Sequence, residues 1–155
     1  EVHPENEADE LPPDPPLRAL LASVNLPKSI LTNAPREHAA RVLSRLNIAD
    51  LFDSICDIRD CDLNGKPYPS AYRKALSMCG GSVEDTLFFD DQYKYTDGYT
   101  ALGGTAVIVG DKNGVHLSPA AAAAHYPSGN VSAGRLLRMN SIHDLPGLLK
   151  QAAVL

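Results

Sequence analysis

The chain has 155 residues, 44% of them hydrophobic and 21% charged, which is about one domain's worth of chain with enough apolar material for a core. Its net charge of −5, from 14 Lys+Arg against 19 Asp+Glu, argues against a nucleic-acid binder working through a broad basic face. No apolar run approaches the roughly 20 residues of a membrane span.

The charge is unevenly placed. Residues 1–16 hold six acids and no Lys or Arg, so they carry −6 and leave the rest at +1. Pro4, Pro12, Pro13, Pro15 and Pro16 lie in the same stretch. Clustered prolines and like charges predict an extended leader over 1–16. No positively charged start followed by an apolar stretch suggests a signal peptide. The three cysteines, Cys56, Cys61 and Cys79, fit no zinc spacing and read as reduced structural thiols. These features together point to a cytoplasmic protein.

From Leu17 the pattern becomes helical, with Leu17, Leu20, Leu21 and Val24 on one stripe until Asn25 and Pro27 end it. Ser29 to Thr32 reads as a short buried strand. Asn33 suits an N-cap and Pro35 a first helical turn, and Ala39, Val42, Leu43 and Leu46 form the apolar stripe of the helix that follows. Leu51 to Cys56 predicts a second strand, and Asp57 to Pro69 a polar loop. Tyr72, Ala75, Leu76 and Cys79 give another helical stripe, stopped by Gly80-Gly81. Thr86 to Phe89 is a strand of apolar and β-prone residues. A short helix follows over Thr96 to Leu102, then a strand over Ala106 to Val109.

Alternating helices and continuous apolar strands predict an α/β fold with an open parallel sheet flanked by helices, a Rossmann-like core over residues 17–110. The periodicity is lost over 111–143, which is expected to be an insertion or flexible loop. It contains Ala120 to Ala124, then His125 and Tyr126, which this reading does not explain. Residues 144–155 predict a closing helix entered through Asp144 and Pro146.

In open parallel sheets ligands bind outside the carboxyl ends of the strands. Thr32-Asn33 follows one strand, Asp90-Asp91 follows another, and Lys66 lies in the Gly65-Lys66-Pro67 loop between them. Adjacent carboxylates repel unless a cation sits near them, and Mg²⁺ is held by one or two carboxylates plus water and phosphate oxygen. Lys66 offers a compact positive charge to a phosphate or carboxylate. A Thr32 hydroxyl near a helix start can donate to a phosphate oxygen.

These motifs in this order resemble the haloacid dehalogenase (HAD) superfamily. The resemblance runs through Leu31-Thr32-Asn33-Ala34, Arg41-Val42-Leu43, Leu51-Phe52-Asp53, Gly65-Lys66-Pro67-Tyr68-Pro69, Phe88-Phe89-Asp90-Asp91 and Ala101-Leu102-Gly103. It is greatest to the pyrimidine 5′-nucleotidase-like branch. The resemblance implies that Thr32 binds the transferring phosphoryl group, that Asn33 helps line that site, that catalytic Lys66 offsets charge on the nucleophile and phosphate, and that Asp90 and Asp91 hold Mg²⁺.

Two departures accompany it. The family's nucleophile belongs to a D-x-D-x-[TV] motif on a first strand, and none precedes Thr32. Asp60-Cys61-Asp62 has the D-x-D spacing but follows Thr32 and has Asn64 where Thr or Val belongs. The same run starts like a calcium loop, yet has Ala71 at the twelfth position and prolines within. Tyr95 stands where the related pattern has Asn, and Asp97 could join a metal shell, cap a helix or face solvent.

The implied activity is therefore part of a Mg²⁺-dependent phosphatase acting on a small phosphorylated metabolite, such as a nucleoside 5′-monophosphate, through an aspartyl-phosphate. The first strand and cap would lie upstream of Glu1 or on a complementary chain, and the chain as given is expected to be inactive. The alternative is a non-catalytic HAD-like binding or regulatory scaffold. A receiver domain also uses Thr, Lys and paired acids, but there the acids come first.

Overall fold

A computed structural model describes residues 11–110, 117–126 and 134–151. Helix α1 spans Pro15–Ser23. The side chain of Asp14 accepts from the Leu17 N–H at 3.1 Å, and prolines at the first two helical positions need no donor of their own. Pro15 and Pro16 thus open a helix, where an extended leader was expected. Residues 1–10 of that leader lie outside the described residues.

Strand β1 (Ser29–Leu31) is followed by α2 (Arg36–Arg45), a 3₁₀ turn at Ala49–Leu51 and strand β2 (Ser54–Cys56). The predicted strand over 51–56 is shorter because Leu51 belongs to the turn. Asn33 is not the cap of α2. Pro35 holds that position without a side-chain bond, and Asp57 from beyond β2 reaches across to accept from the Arg36 N–H at 2.9 Å. A tertiary carboxylate thus satisfies one of the orphan donors of the helix.

Helix α3 (Pro69–Cys79) ends as expected at Gly80, whose φ of 71° is the left-handed conformation that glycine adopts without a Cβ penalty. Strand β3 (Leu87–Asp90), helix α4 (Tyr93–Thr100) and strand β4 (Thr105–Val109) follow. Helix α4 begins three residues earlier than predicted, immediately after the acid pair.

The expected insertion at 111–143 is corrected. Its described residues form helix α5 (Pro119–His125), capped by the Ser118 side chain, and strand β5 (Arg135–Met139). β5 pairs in parallel with β4 and is a full member of the sheet. A capping-box turn at Ile142–Asp144 leads into α6 (Leu145–Gln151).

All pairings are parallel, in two pieces of order β1-β2 and β3-β4-β5. Phe88, Ala106 and Leu136 share one register and one face, where they meet Tyr72 and Leu76 of α3 and Tyr99 of α4; Leu31 of β1 also joins this cluster. The rings of Tyr72, Phe88 and Tyr99 lie 5.3–5.5 Å apart by centroid, in edge-on and tilted arrangements that add about 0.5–1.5 kcal/mol per pair beyond area burial. On the opposite face, Val107 and Met139 pack with Leu145, Leu148 and Leu149 and with Leu20 and Val24 of α1. Leu17 and Leu21 of the same helix pack with Leu43, Ile48 and Ile55 beside β1 and β2. One amphipathic helix therefore fastens both sheet pieces from behind. Among the described residues, no helix is long and apolar enough to cross a membrane.

Candidate active site

The carboxyl end of β3 places Asp90 on the same face as Phe88, toward α3 and α4. There its Oδ2 accepts from Lys66 Nζ at 2.7 Å, with side-chain exposures of 8% for Asp90 and 10% for Lys66. Asp90 Oδ1 accepts from the Gln92 N–H at 3.0 Å. Asp91 is exposed at the rim. The Lys66 ammonium also lies 4.7 Å from the centroid of the Tyr95 ring and 5.7 Å from that of Phe88, so two aromatic faces share its charge with Asp90.

Lys66 is held in place by Asn33. The Asn33 side-chain carbonyl accepts from the Lys66 N–H at 2.8 Å, and its NH₂ donates to the Lys66 carbonyl at 3.1 Å and to the Tyr95 hydroxyl at 3.4 Å. Asn33, expected to help line a phosphate site, clamps the two peptide groups that flank Lys66. The clamp requires Gly65: a Cβ there would lie 2.8 Å from Asn33 Cγ and 2.8 Å from Ile58 Cδ1. The Lys66–Pro67 peptide is cis. Tyr95 is fixed in turn by Tyr72, whose hydroxyl donates to the Tyr95 carbonyl at 2.6 Å. Burial, with the nearby Asp90 charge, pushes the Tyr72 phenol well above its ordinary pKa and keeps it a donor.

Thr32 follows β1, next to Asn33. Its hydroxyl oxygen accepts from the Ala34 N–H at 3.0 Å, which leaves the O–H proton to be donated elsewhere. The structure thus joins Asn33, Lys66 and Asp90 directly and brings in Thr32 through its neighbour. Asp97 goes elsewhere: it is buried on α4, and its Oδ2 accepts from the Leu117 N–H at 3.1 Å, anchoring the segment that enters α5. Tyr93, the first residue of α4, accepts a bond from Arg138 at 2.5 Å on the β5 side of the rim.

Beneath the lysine loop, Asp57 is 3% exposed and is surrounded by donors. Besides Arg36 N–H it accepts from the Asp60 N–H at 2.9 Å and from Arg59 Nε at 3.3 Å. Burial pushes its pKa up, but the Asp60 and Arg36 backbone donors and the Arg59 charge outweigh it and hold the carboxyl below its ordinary value. Arg36 bonds Asp60 at 2.8 Å, and Arg59 also pairs with Glu37.

Sequence reasoning missed the roles of Asn33, Gly65 and Tyr95. The available signal was small: a glycine immediately before the lysine, and a tyrosine where a related pattern has asparagine.

A family model described as haloacid dehalogenase-like hydrolase matches residues 2–94. The chain belongs to this family. Solved structures with the same fold include L-2-haloacid dehalogenase from Xanthobacter autotrophicus, at TM-score 0.71 and 19% identity, over 94% of this chain and 64% of that one. A HAD phosphatase from Thermococcus onnurineus aligns at TM-score 0.64 and 18% identity, over 87% of this chain and 55% of that one. β-Phosphoglucomutase from Clostridium difficile aligns at TM-score 0.55 and 23% identity, over 67% and 46%. The HAD-like chain described here therefore spans less than two thirds of the length of these structures.

Proposed function

We propose that this HAD-like hydrolase chain is part of a Mg²⁺-dependent phosphatase for a small phosphomonoester, with a nucleoside 5′-monophosphate as the favoured class and the pyrimidine 5′-nucleotidase-like branch as its place in the family. The observation that carries the reading is the buried Lys66–Asp90 pair at the strand ends, held by Asn33 and flanked by Thr32 and Asp91. Lys66 supplies positive charge where a phosphoryl group would develop negative charge, and the Thr32 hydroxyl supplies a donor. Two adjacent acids at one rim favour a cation-assisted phosphomonoester over a bare haloacid anion, which the acids would repel.

Among the described residues no group of three or more His, Cys, Asp or Glu gathers to hold a metal. Asp90 and Asp91 nevertheless meet the one-or-two-carboxylate requirement of Mg²⁺. Each Asp90 oxygen accepts one bond from protein and keeps a second acceptor position. When bound, the ion would neutralise phosphate charge.

The nucleophile belongs, in this reading, to a strand outside this sequence. The two-piece sheet supports that placement: β1 and β3 each have one unpaired edge among the described residues, while Leu31 and Phe88 from these strands share one apolar cluster. A parallel strand between them would bring an aspartate at its carboxyl end to the rim that Thr32 and Asp90 occupy. It would attack phosphorus and form an aspartyl-phosphate, breaking the ester P–O bond and releasing the substrate alcohol, which takes up a proton; water would then hydrolyse the aspartyl-phosphate to inorganic phosphate and regenerate the carboxylate. A preceding segment or a complementary chain would supply the strand. Three free cysteines are compatible with a cytoplasmic setting.

The test is hydrolysis of p-nitrophenyl phosphate and of nucleoside monophosphates with Mg²⁺. The chain as given should remain at background. The chain extended upstream through an aspartate-bearing strand should turn over, and Lys66→Ala should reduce that turnover by about a hundredfold. An extended chain that stays at background would instead favour the second reading, a non-catalytic HAD-like scaffold. That reading draws on Asp90 and Asn33 already being engaged by Lys66.

A further inference from the structure

Two of the three cysteines meet in the turn that leads to Lys66. Cys56 closes β2, Cys61 follows five residues later, and their sulfurs lie 3.7 Å apart with both side chains buried. Backbone bonds define the turn: the Cys61 N–H donates to the Asp57 carbonyl at 3.3 Å, and the Asn64 N–H to the Cys61 carbonyl at 2.9 Å. Both ends connect to the rim. The Cys56 carbonyl accepts from the Thr32 N–H at 3.0 Å, and the turn runs on into Gly65 and Lys66. Cys79 stands apart on α3, its thiol directed at the Leu76 carbonyl.

We propose that Cys56 and Cys61 form a dithiol modification site that closes reversibly to an intramolecular disulfide with a disulfide oxidant such as oxidised glutathione. Cys61, at 7% exposure against 1% for Cys56, is the point of entry. Its thiolate attacks one sulfur of the oxidant and expels one glutathione thiolate. Cys56 then attacks the Cys61 sulfur of the mixed disulfide and expels the second glutathione. Two protein S–H bonds are lost and one S–S bond forms. The two electrons and two protons end on two molecules of reduced glutathione.

Closure brings the sulfurs from 3.7 Å to a bonded separation of about 2.0 Å. Burial pushes the Cys56 thiol up to about 12 and raises Cys61 as well, so the exchange is slow at neutral pH and faster as pH rises. The crosslink ties the end of β2 to the turn before Lys66. It stands independently of the phosphatase reading.

The experiment equilibrates the full chain with oxidised glutathione, quenches it with acid and counts thiols after denaturation. Free thiols should fall from three to one, with a loss of two hydrogens in mass, a peptide map joining Cys56 to Cys61 and full reversal by dithiothreitol. Cys79→Ser should leave the bridge intact. Cys61→Ser should abolish it, and Cys61→Ala serves if that variant folds poorly. In the oxidised protein, amide exchange over residues 58–66 should slow several-fold. Three thiols remaining at equilibrium, or a bridge that uses Cys79 or joins two chains, would overturn the proposal.

Discussion

Lys66 and Asp90 are the pair most exposed to a quantitative test. Lys66→Met keeps most of the stem against Phe88 and Tyr95 but leaves the Asp90 carboxylate, 8% exposed, without its cation. Asp90→Leu leaves the ammonium without its anion. At 2.7 Å and an effective dielectric of about 20 the gross attraction is about 6 kcal/mol, and the desolvation of both groups offsets a large part of it. Each single substitution should therefore cost about 3 kcal/mol, because it strands a mostly buried charge. The double substitution removes both charges and should cost much less than the sum, giving a coupling of at least about 2 kcal/mol. Urea unfolding reads this directly: with a slope of about 2 kcal/mol per molar, each single change moves the midpoint by about 1.5 M. Single effects under about 1 kcal/mol, or a double effect that equals their sum, would refute the argument, since both describe a solvated pair.

Gly65→Ala forces its methyl against the Asn33 amide and Ile58, and should destabilise the chain by about 1–3 kcal/mol while broadening the NMR signals of the Lys66 loop. Asn33→Ala should share the loop signature without the clash. The lowered Asp57 pKa stabilises the fold fully above the unfolded-state value of about 3.9, and that stabilisation is lost as pH falls through the lower folded value. Asp57→Asn should therefore flatten the acid limb of a stability-against-pH curve; an unchanged limb would show that Asp57 titrates alike in both states. The amide of Leu137, which lies with Arg135 on the β4-facing side of β5, should exchange as slowly as that of Val107 in β4; fast exchange there would argue against β5 as a sheet strand.

Much of the core was readable because apolar runs and stop signals agreed. Val107 and Ile108 lie in a continuous β-branched run and are buried, and Gly80 ends α3 as a left-handed cap. The contact between Lys66 and Asp90, with Thr32 beside Asn33 at a neighbouring strand end, is the arrangement expected from the rule that strand ends gather polar side chains. β5 was hidden because Arg135 and Arg138 interrupt its apolar residues, and only the register with β4 makes Leu136 and Leu137 inward. α5 was hidden by the loss of periodicity in an all-alanine run, although Ser118-Pro119 forms a recognisable start. Asn33 failed as a cap because its amide meets the peptide of Lys66, 33 residues away, a partner that no local window contains.

The seam between the two sheet pieces also bears on how copies of this chain behave together. A continuous open sheet presents two edges; among the described residues the two parallel pieces present four, and β3 carries Leu87, Phe88 and Phe89 along one of the inner ones. Unpaired backbone donors and acceptors beside aromatic side chains form a template for another strand, which natural sheets usually blunt with charge, proline or a covering element. The expected outcome is concentration-dependent self-association of the chain as given, read by sedimentation velocity, and its suppression when a strand is supplied between β1 and β3.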